Sequence, residues 1–144
     1  KETSVNIDLK DLINQIKSEF DDQNLEISNI ETISIKGRRS ALKRSLENII
    51  QNGLTYGKRV QVEAQKSKNL AVINIEDDGP GIPDDQYKNV FKPFFRLDKS
   101  RSLNQSGVGL GLAIVEDIIN SHGGNIKLGK SKFNGLQVKI FLPF

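Results

Sequence analysis

Three groups of residues in this chain have the types and spacing to do chemistry. Asn48 and Asn52 stand four residues apart, one turn beyond Arg44, inside a run with helical periodicity. Glu76-Asp77-Asp78-Gly79-Pro80-Gly81-Ile82-Pro83 gathers carboxylates, glycines and prolines directly after an apolar run at residues 70–75. Gly107-Val108-Gly109-Leu110-Gly111-Leu112 leads from a polar stretch into a second helical pattern. Each group also has an ordinary reading. Paired asparagines can be a solvated helix face, and Asp-Gly and Pro-Gly are common turn dipeptides.

The chemistry each would support is specific. Asparagine is a poor helix former because its amide competes for the backbone, so two on one face invite an explanation. Their amide oxygens are hard ligands suited to Mg²⁺, which keeps most of its waters and leans on substrate phosphates. A carboxylate at the end of a buried strand is aimed rigidly, and neighbouring glycines let backbone lie against a ligand. Glycines entering a helix N-terminus make an anion site from free N–H groups and the positive end of the dipole. This glycine run is not a Walker loop, because Gly111 is followed by Leu112 rather than Lys-Ser or Lys-Thr. It is not a Rossmann loop, since its third glycine comes one residue early and a polar stretch, not a strand, precedes it. The His-Arg-Asp signature of protein kinases is absent. Taken alone, Gly-x-Gly-x-Gly is a weak signal. In the company of the other two groups it becomes strong.

The elements that must position these residues follow from periodicity. A short strand is expected at 5–9, then a helix opened by Asp8 or Asp11 and carrying Leu12, Ile13, Ile16 and Phe20. Strands are expected at 25–30 and 32–35, with a turn near Asn29. Residues 41–56 read as the clearest helix, with Ala41, Leu42, Leu46, Ile49, Ile50 and Leu54 on its apolar stripe. Residues 60–65 alternate as a strand with one wet face, and 66–69 turn into a strand at 70–75 that is buried on both faces. A short helix capped by Asp84 and Asp85 is expected at 84–91. Residues 98–106 are polar and without period, as in a lid or binding loop. A helix from Leu112 to Ile119 ends at Gly123-Gly124, and strands at 125–128 and 136–142 close the chain as a hairpin.

Composition sets the bounds. A chain of 144 residues with 36% hydrophobic and 27% charged residues fits one soluble domain with a sizeable core. No run approaches the ~20 apolar residues of a membrane span. The net charge of +3 is scattered, which does not suggest nucleic-acid binding. Cysteine is absent, which excludes disulfides and thiolate metal sites. Methionine is absent too, so a fragment of a longer protein is expected.

In combination, the motifs resemble a known family. Asn48-Ile49-Ile50-Gln51-Asn52, Asp77-Asp78-Gly79-Pro80-Gly81-Ile82, Phe91-Lys92-Pro93-Phe94 and Gly107-Val108-Gly109-Leu110-Gly111-Leu112 look like the N, G1, F and G2 boxes. These mark the ATP-binding catalytic domain of sensor histidine kinases, within the gyrase/Hsp90/MutL (GHKL) superfamily of Bergerat folds. The run at 91–101 is similar to osmosensor kinases of the EnvZ type. The resemblance covers nearly all of residues 1–144 as one catalytic domain, with the phosphoacceptor and dimerisation domain absent.

The resemblance implies an α+β fold: a two-layer α/β sandwich with a mixed, mostly antiparallel sheet, helices on one face and an ATP lid. It implies ATP and Mg²⁺ as ligands, with Asp77 reading adenine and Gly79, Gly81 and Ile82 beside the base. Asn52 would hold the metal with Asn48 assisting, and Tyr56 would border the pocket. Arg96 and Leu97 would act from the lid, with Arg96 catalytic alongside Asn48 and Asn52, and Phe91 would anchor the lid. Gly107, Val108, Gly109, Leu110, Gly111 and Leu112 would supply backbone N–H groups to the phosphates. Asp78 would only shape the turn, and His122 would be structural.

The implied reaction is γ-phosphoryl transfer to a histidine on a separate dimerisation domain, with a response regulator downstream. The implied setting is cytoplasmic, on a parent protein anchored in the inner membrane. Asn48 stands where the ATP-hydrolysing relatives carry a water-activating glutamate, and an amide cannot act as a base. Two departures stand out. Gly53 replaces the usual alanine at a cost of about 1 kcal/mol of helix propensity, and Thr55 replaces a frequent Lys or Arg. That phosphate contact would then fall to Arg44, Arg96 or Arg101. The alternatives are an ATP-sensing module without transfer and a serine kinase of the anti-sigma-factor type.

Overall fold

Alternation and helical spacing set up the scaffold one element at a time, in a computed structural model that describes residues 2–93 and 111–144. β1 (Val5–Asp8) passes directly into α1 (Leu9–Phe20), where Asp8 Oδ1 accepts the N–H of Asp11 at 3.1 Å and caps the helix. Leu9, Leu12, Ile13 and Ile16 form the buried stripe of α1. β2 (Leu25–Ile30) and β3 (Ser34–Gly37) follow, so the break lies at 31–33 rather than near Asn29. The reason is a change of sheet. Glu31 N–H still bonds Ala64 O, while Ile33 O already accepts Leu9 N–H as the chain crosses to pair with β1.

α2 (Arg39–Tyr56) has no side-chain cap at Arg38; the Glu2 carboxylate instead accepts the N–H groups of Ser40 and Ala41 at 2.6 and 3.2 Å. Its buried face is Leu42, Ser45, Leu46, Ile49, Ile50 and Gly53. Ser45 and Gly53 thus take places the apolar pattern assigned to Ala41 and Leu54. Ser45 is tolerated there because its Oγ donates to Ala41 O at 3.1 Å.

β4 (Val60–Ser67) and β5 (Leu70–Asp77) pair antiparallel across a two-residue turn in which Lys68 has φ 59. With β6 (Asn125–Lys130) and β7 (Leu136–Pro143) the order is β2-β4-β5-β7-β6. Among the described residues only the β2–β4 pair is parallel. This is the expected mixed, mostly antiparallel sheet. Val60, Val62, Ala64, Ala71, Ile73, Ile75, Val138, Ile140 and Leu142 face the helices and form the core with them. Each Val, Ile or Leu among them contributes on the order of 1.5–3 kcal/mol, and each Ala less. Val72 and Glu76, on the outer face of β5, are also buried, so the central strand is covered on both sides.

The helix expected at 84–91 is instead two single 3-10 turns, Asp84–Gln86 and Asn89–Phe91. Neither has a side-chain capping bond. Without a cap, so short a run cannot offset the cost of helix nucleation. α3 (Leu112–Ser121) starts from Gly111 at φ 64 and stops at His122-Gly123, with Gly123 at φ 78. His122 Nε2 accepts Arg38 N–H at 3.0 Å and Nδ1 donates to Ile118 O at 2.7 Å. Both ring nitrogens are thereby engaged in tying the end of α3 to the start of α2.

Gly53 is more than a weak helix residue. A Cβ there would stand 2.5 Å from Val60 Cγ2 and 3.2 Å from Asp77 Cβ. Its absence lets α2 sit against the sheet at the end of β5. Gly53→Ala should gain about 1 kcal/mol of helix propensity and lose more to overpacking, which typically costs about 1–3 kcal/mol. The expected net effect is a fall in Tm of roughly 4 °C in a thermal melt; an unchanged or raised Tm would show that the close approach is not needed.

Candidate functional site

The end of β5 is where the predicted residues converge. β5 delivers Glu76 and Asp77 to opposite faces, as strand alternation requires. Asp77 is half-buried on the helix side, and its Oδ1 accepts the N–H groups of Gly79 at 2.8 Å and Leu136 at 3.1 Å. Burial pushes its carboxyl above the usual range, with the Leu136 and Gly79 bonds working against that rise and the adjacent Asp78 charge adding to it. Asp78 behaves differently. Desolvation would raise its carboxyl, but the N–H groups of Arg59 and Lys58, at 2.9 and 2.6 Å, outweigh that and hold it below the usual value. It ties the α2–β4 connection to the turn.

The glycines around Asp77 make room for backbone. A Cβ on Gly79 would approach Tyr56 O at 3.1 Å, which places the turn against the C-terminus of α2. Gly81 has φ 73, which a side chain would resist. Ile82 is half-buried against the core. Tyr56, one turn beyond Asn52 on α2, is half-buried at the same place.

Along α2, Asn52 Nδ2 donates to Asn48 Oδ1 at 3.3 Å. Asn48 lies against Gly111: a Cβ on Gly111 would collide with Asn48 Nδ2. The amide ladder therefore abuts the N-terminus of α3. That helix has no acidic residue in its first turn, so its free N–H groups and dipole favour an anion. Leu112 has its side chain in the core and can contribute only backbone there. Glu47, the carboxylate next to Asn48, is paired with Lys43 at 3.3 Å, and Lys43 also binds Glu19 at 2.6 Å. No other acid on α2 lies near the ladder, since Glu47 is the only one in its sequence.

The structure thus brings Asn48, Asn52, Tyr56, Asp77, Gly79, Gly81, Ile82, Gly111 and Leu112 to three adjoining elements. Phe91 is set apart: it lines a cavity of 610 Å³ with Tyr87, Lys92, Glu116, Ile126 and Leu128. Arg96, Leu97, Gly107, Val108, Gly109 and Leu110 lie outside the described residues, as does Arg101. Arg44 and Thr55 are exposed on α2, and Thr55 Oγ1 accepts from Gln51 at 3.2 Å.

Among the described residues no cluster of three His, Cys, Asp or Glu side chains could hold a metal. The hard donors at the ladder are amide oxygens, a set that fits Mg²⁺ when phosphates and water complete its shell. Two residues of the site were missed from sequence. Gly135 packs so closely that a Cβ would collide with Asp77 O and Oδ1, and Leu136 supplies a hydrogen bond to Asp77. The Asn134-Gly135 pair signals a turn, but nothing local says where that turn lands.

Comparison with known proteins agrees with this geometry. Residues 37–144 match the family model described as histidine kinase-, DNA gyrase B- and HSP90-like ATPase. The chain is 40% identical over 108 residues to the sensor histidine kinase CpxA of Escherichia coli, covering 74% of this chain and 24% of that protein. It is 33% identical over 122 residues to the E. coli signal transduction histidine-protein kinase BaeS, covering 83% and 26%. The chain therefore spans about a quarter of the length of these curated relatives. Its fold overlays the histidine kinase domain of the E. coli osmosensor EnvZ with a TM-score of 0.75 and 33% identity, covering 99% and 91% of the two chains. The mycobacterial sensor histidine kinase MprB gives a TM-score of 0.82 at 28% identity, covering 98% and 97%. No helix among the described residues is long and apolar enough to cross a membrane. With the amide ladder, the strand-end aspartate and the glycine-entered helix meeting at one place, the chain belongs to the histidine kinase-, DNA gyrase B- and HSP90-like ATPase family, as a domain of the kind carried by sensor histidine kinases.

Proposed function

We propose that this domain binds Mg-ATP and transfers its γ-phosphoryl group to a histidine on a separate dimerisation domain of a sensor kinase. The observation that carries the reading is Asn48, an amide seated between Asn52 and the N-terminus of α3, with the neighbouring Glu47 occupied by Lys43. Hydrolysis needs a base beside the attacking water, and this position offers none. A nucleophile brought by a partner needs no such base.

Asp77 accepts the exocyclic amino group of adenine, an interaction that guanine's carbonyl at the same place cannot make. Gly79, Gly81 and Ile82 flank the base, and Tyr56 borders it. Asn52, with Asn48 assisting, would hold Mg²⁺ through amide oxygens, and the ion would supply neutralisation of charge on the phosphate oxygens. The first turn of α3, entered through residues 107–111, presents N–H groups to the same oxygens. The Arg96 guanidinium neutralises charge that develops on the transferred phosphoryl group. The acceptor imidazole then forms an N–P bond with its nitrogen lone pair as the bond from γ-phosphorus to the bridging oxygen breaks. ADP leaves with that electron pair, and phosphohistidine is the product.

Three outcomes follow. With γ-labelled ATP and the histidine-containing domain of the parent kinase, label is expected on the partner in an acid-labile form. Asn52→Ala is expected to lower that transfer by at least about 100-fold. Label on neither partner nor domain despite ATP binding would reject the transfer reading, and an acid-stable product would favour a serine kinase.

The second outcome concerns pH. Asp77 accepts the amino N–H of the base more strongly when ionised, and its pKa is raised above the ordinary 3.8. ATP affinity should therefore fall on acidification at a higher pH than an ordinary aspartate would cause, as followed by calorimetric titration.

The third concerns stability. A carboxyl whose pKa is raised by folding favours the protonated form, so its charge opposes folding at neutral pH. Asp77→Asn keeps an Oδ1 acceptor for Gly79 and Leu136. Its Tm is expected to equal or exceed that of the parent while ATP affinity drops by about tenfold or more. A large loss of Tm would contradict this.

A further inference from the structure

Glu76 is a buried carboxylate on the outer face of the sheet, at 4% exposure, and nothing in the nucleotide reading employs it. A carboxylate taken from water is costly unless hydrogen bonds replace the lost hydration. Its partners show what it holds. Oε1 accepts Lys132 N–H at 3.0 Å and Gln137 Nε2 at 3.4 Å, while Oε2 accepts Asn74 Nδ2 at 3.0 Å and lies 3.9 Å from Lys132 Nζ.

The Lys132 bond reaches the turn at residues 131–135 that joins β6 to β7. That turn is locked internally. Ser131 N–H donates to Gly135 O at 2.9 Å, Asn134 N–H to Ser131 O at 3.0 Å and Phe133 N–H to Ser131 Oγ at 2.9 Å. Ser131 is itself buried, at 4% exposure. Phe133 is covered by the Arg59 guanidinium 4.0 Å above its ring. Such a turn moves as one body. On the opposite face of β5 the end of the same turn meets Asp77: Gly135 lies against the Asp77 carbonyl and Oδ1, and Leu136, the first residue of β7, donates its N–H to Oδ1.

We propose that the β6–β7 turn is a clamp that orients the base-reading carboxylate, and that Glu76 is the positioning residue that seats the clamp. Two consecutive side chains of β5 grip it from opposite faces, so it cannot slide along either face without losing a bond. With Oδ1 of Asp77 committed to Leu136 and Gly79, the second carboxylate oxygen is the one presented to an amino group. The inference rests on the reading of Asp77 as the adenine contact. It adds that discrimination for the 6-amino group is set by a residue that never touches the nucleotide.

The test compares ATP with purine riboside triphosphate, which lacks that amino group, by calorimetric titration of the whole 144-residue chain. The parent should prefer ATP. Glu76→Ala should weaken ATP binding by about tenfold and leave the analogue within about twofold. Glu76→Gln, which keeps an acceptor for Lys132 N–H, should restore the preference. A role in stability alone would weaken both ligands equally and overturn the clamp, as would an unchanged ratio. If Glu76→Ala does not fold, Ser131→Ala, which only loosens the turn from within, should lower the ATP preference by about threefold. An unchanged ratio there overturns the proposal. A parent that binds both ligands equally overturns the adenine reading and the clamp with it. A parent that discriminates, with variants that do so equally well, overturns the clamp alone.

Discussion

The arrangement depends on how the last turn of β5 satisfies three successive carboxylates with backbone N–H groups from elsewhere in the chain. Glu76 takes Lys132, Asp77 takes Leu136 and Gly79, and Asp78 takes Lys58 and Arg59. Charge-assisted bonds of this kind are roughly twice as strong as neutral ones. Here each also carries a positional consequence. The bonds fasten the β6–β7 turn, the strand end and the α2–β4 connection to one another, and α2 brings its amides with it. An acidic run that would repel itself in water becomes a point to which two connections are fixed.

The fold accepts local costs at this point. Asp77 is kept partly desolvated, and its raised pKa records that the charged form is disfavoured there. Gly53 gives up helix propensity so that α2 can reach the strand end, and Gly111 adopts a left-handed conformation so that Asn48 can lie against the start of α3. Each concession brings backbone closer than a side chain would allow. The opposing gain is the apolar layer beneath, one core shared by Ile49 and Ile50 of α2, Val115 and Ile119 of α3, and Ile73, Ile75 and Val138 of the sheet. That layer fixes the helices while the polar rim is left with a specific shape.

Much of this was legible in the sequence, and what was not shares one physical cause. The ladder at Asn48 and Asn52 stood out because asparagine is out of place inside a helix. The two aspartates could be told apart in position because a side chain at a strand end and one in the following turn are held differently: Asp77 ends β5, and Asp78 binds the Lys58 and Arg59 N–H groups. Ser45 and Gly53 escaped the apolar pattern because small residues fill a core face where elements approach closely. The helix expected at 84–91 rested on capping aspartates that make no cap. Glu76 looked like one surplus acid among three, since its partners lie 56 and 61 residues away. Gly135 and Leu136 were invisible for the same reason. Periodicity reports on neighbours in sequence, whereas these contacts depend on which strands pair and in what register. The F box divided: Phe91 lines its own cavity, and Phe94 falls outside the described residues, as do Arg96 and Leu97 after it.

In the proposed function a strand-end carboxylate, held by backbone N–H groups on one oxygen, reads an adenine base. Calorimetric titration of the chain with ATP and with GTP, each with Mg²⁺, tests it most directly. The two ligands share phosphates, ribose and metal, and differ at the position Asp77 is argued to face. Measurable ATP binding is expected, with GTP binding weaker by about 100-fold or more, the discrimination of a polar pair that is satisfied in one ligand and opposed in the other. Equal affinities would mean that the phosphates alone drive binding, and would contradict the assignment of Asp77 as the base reader.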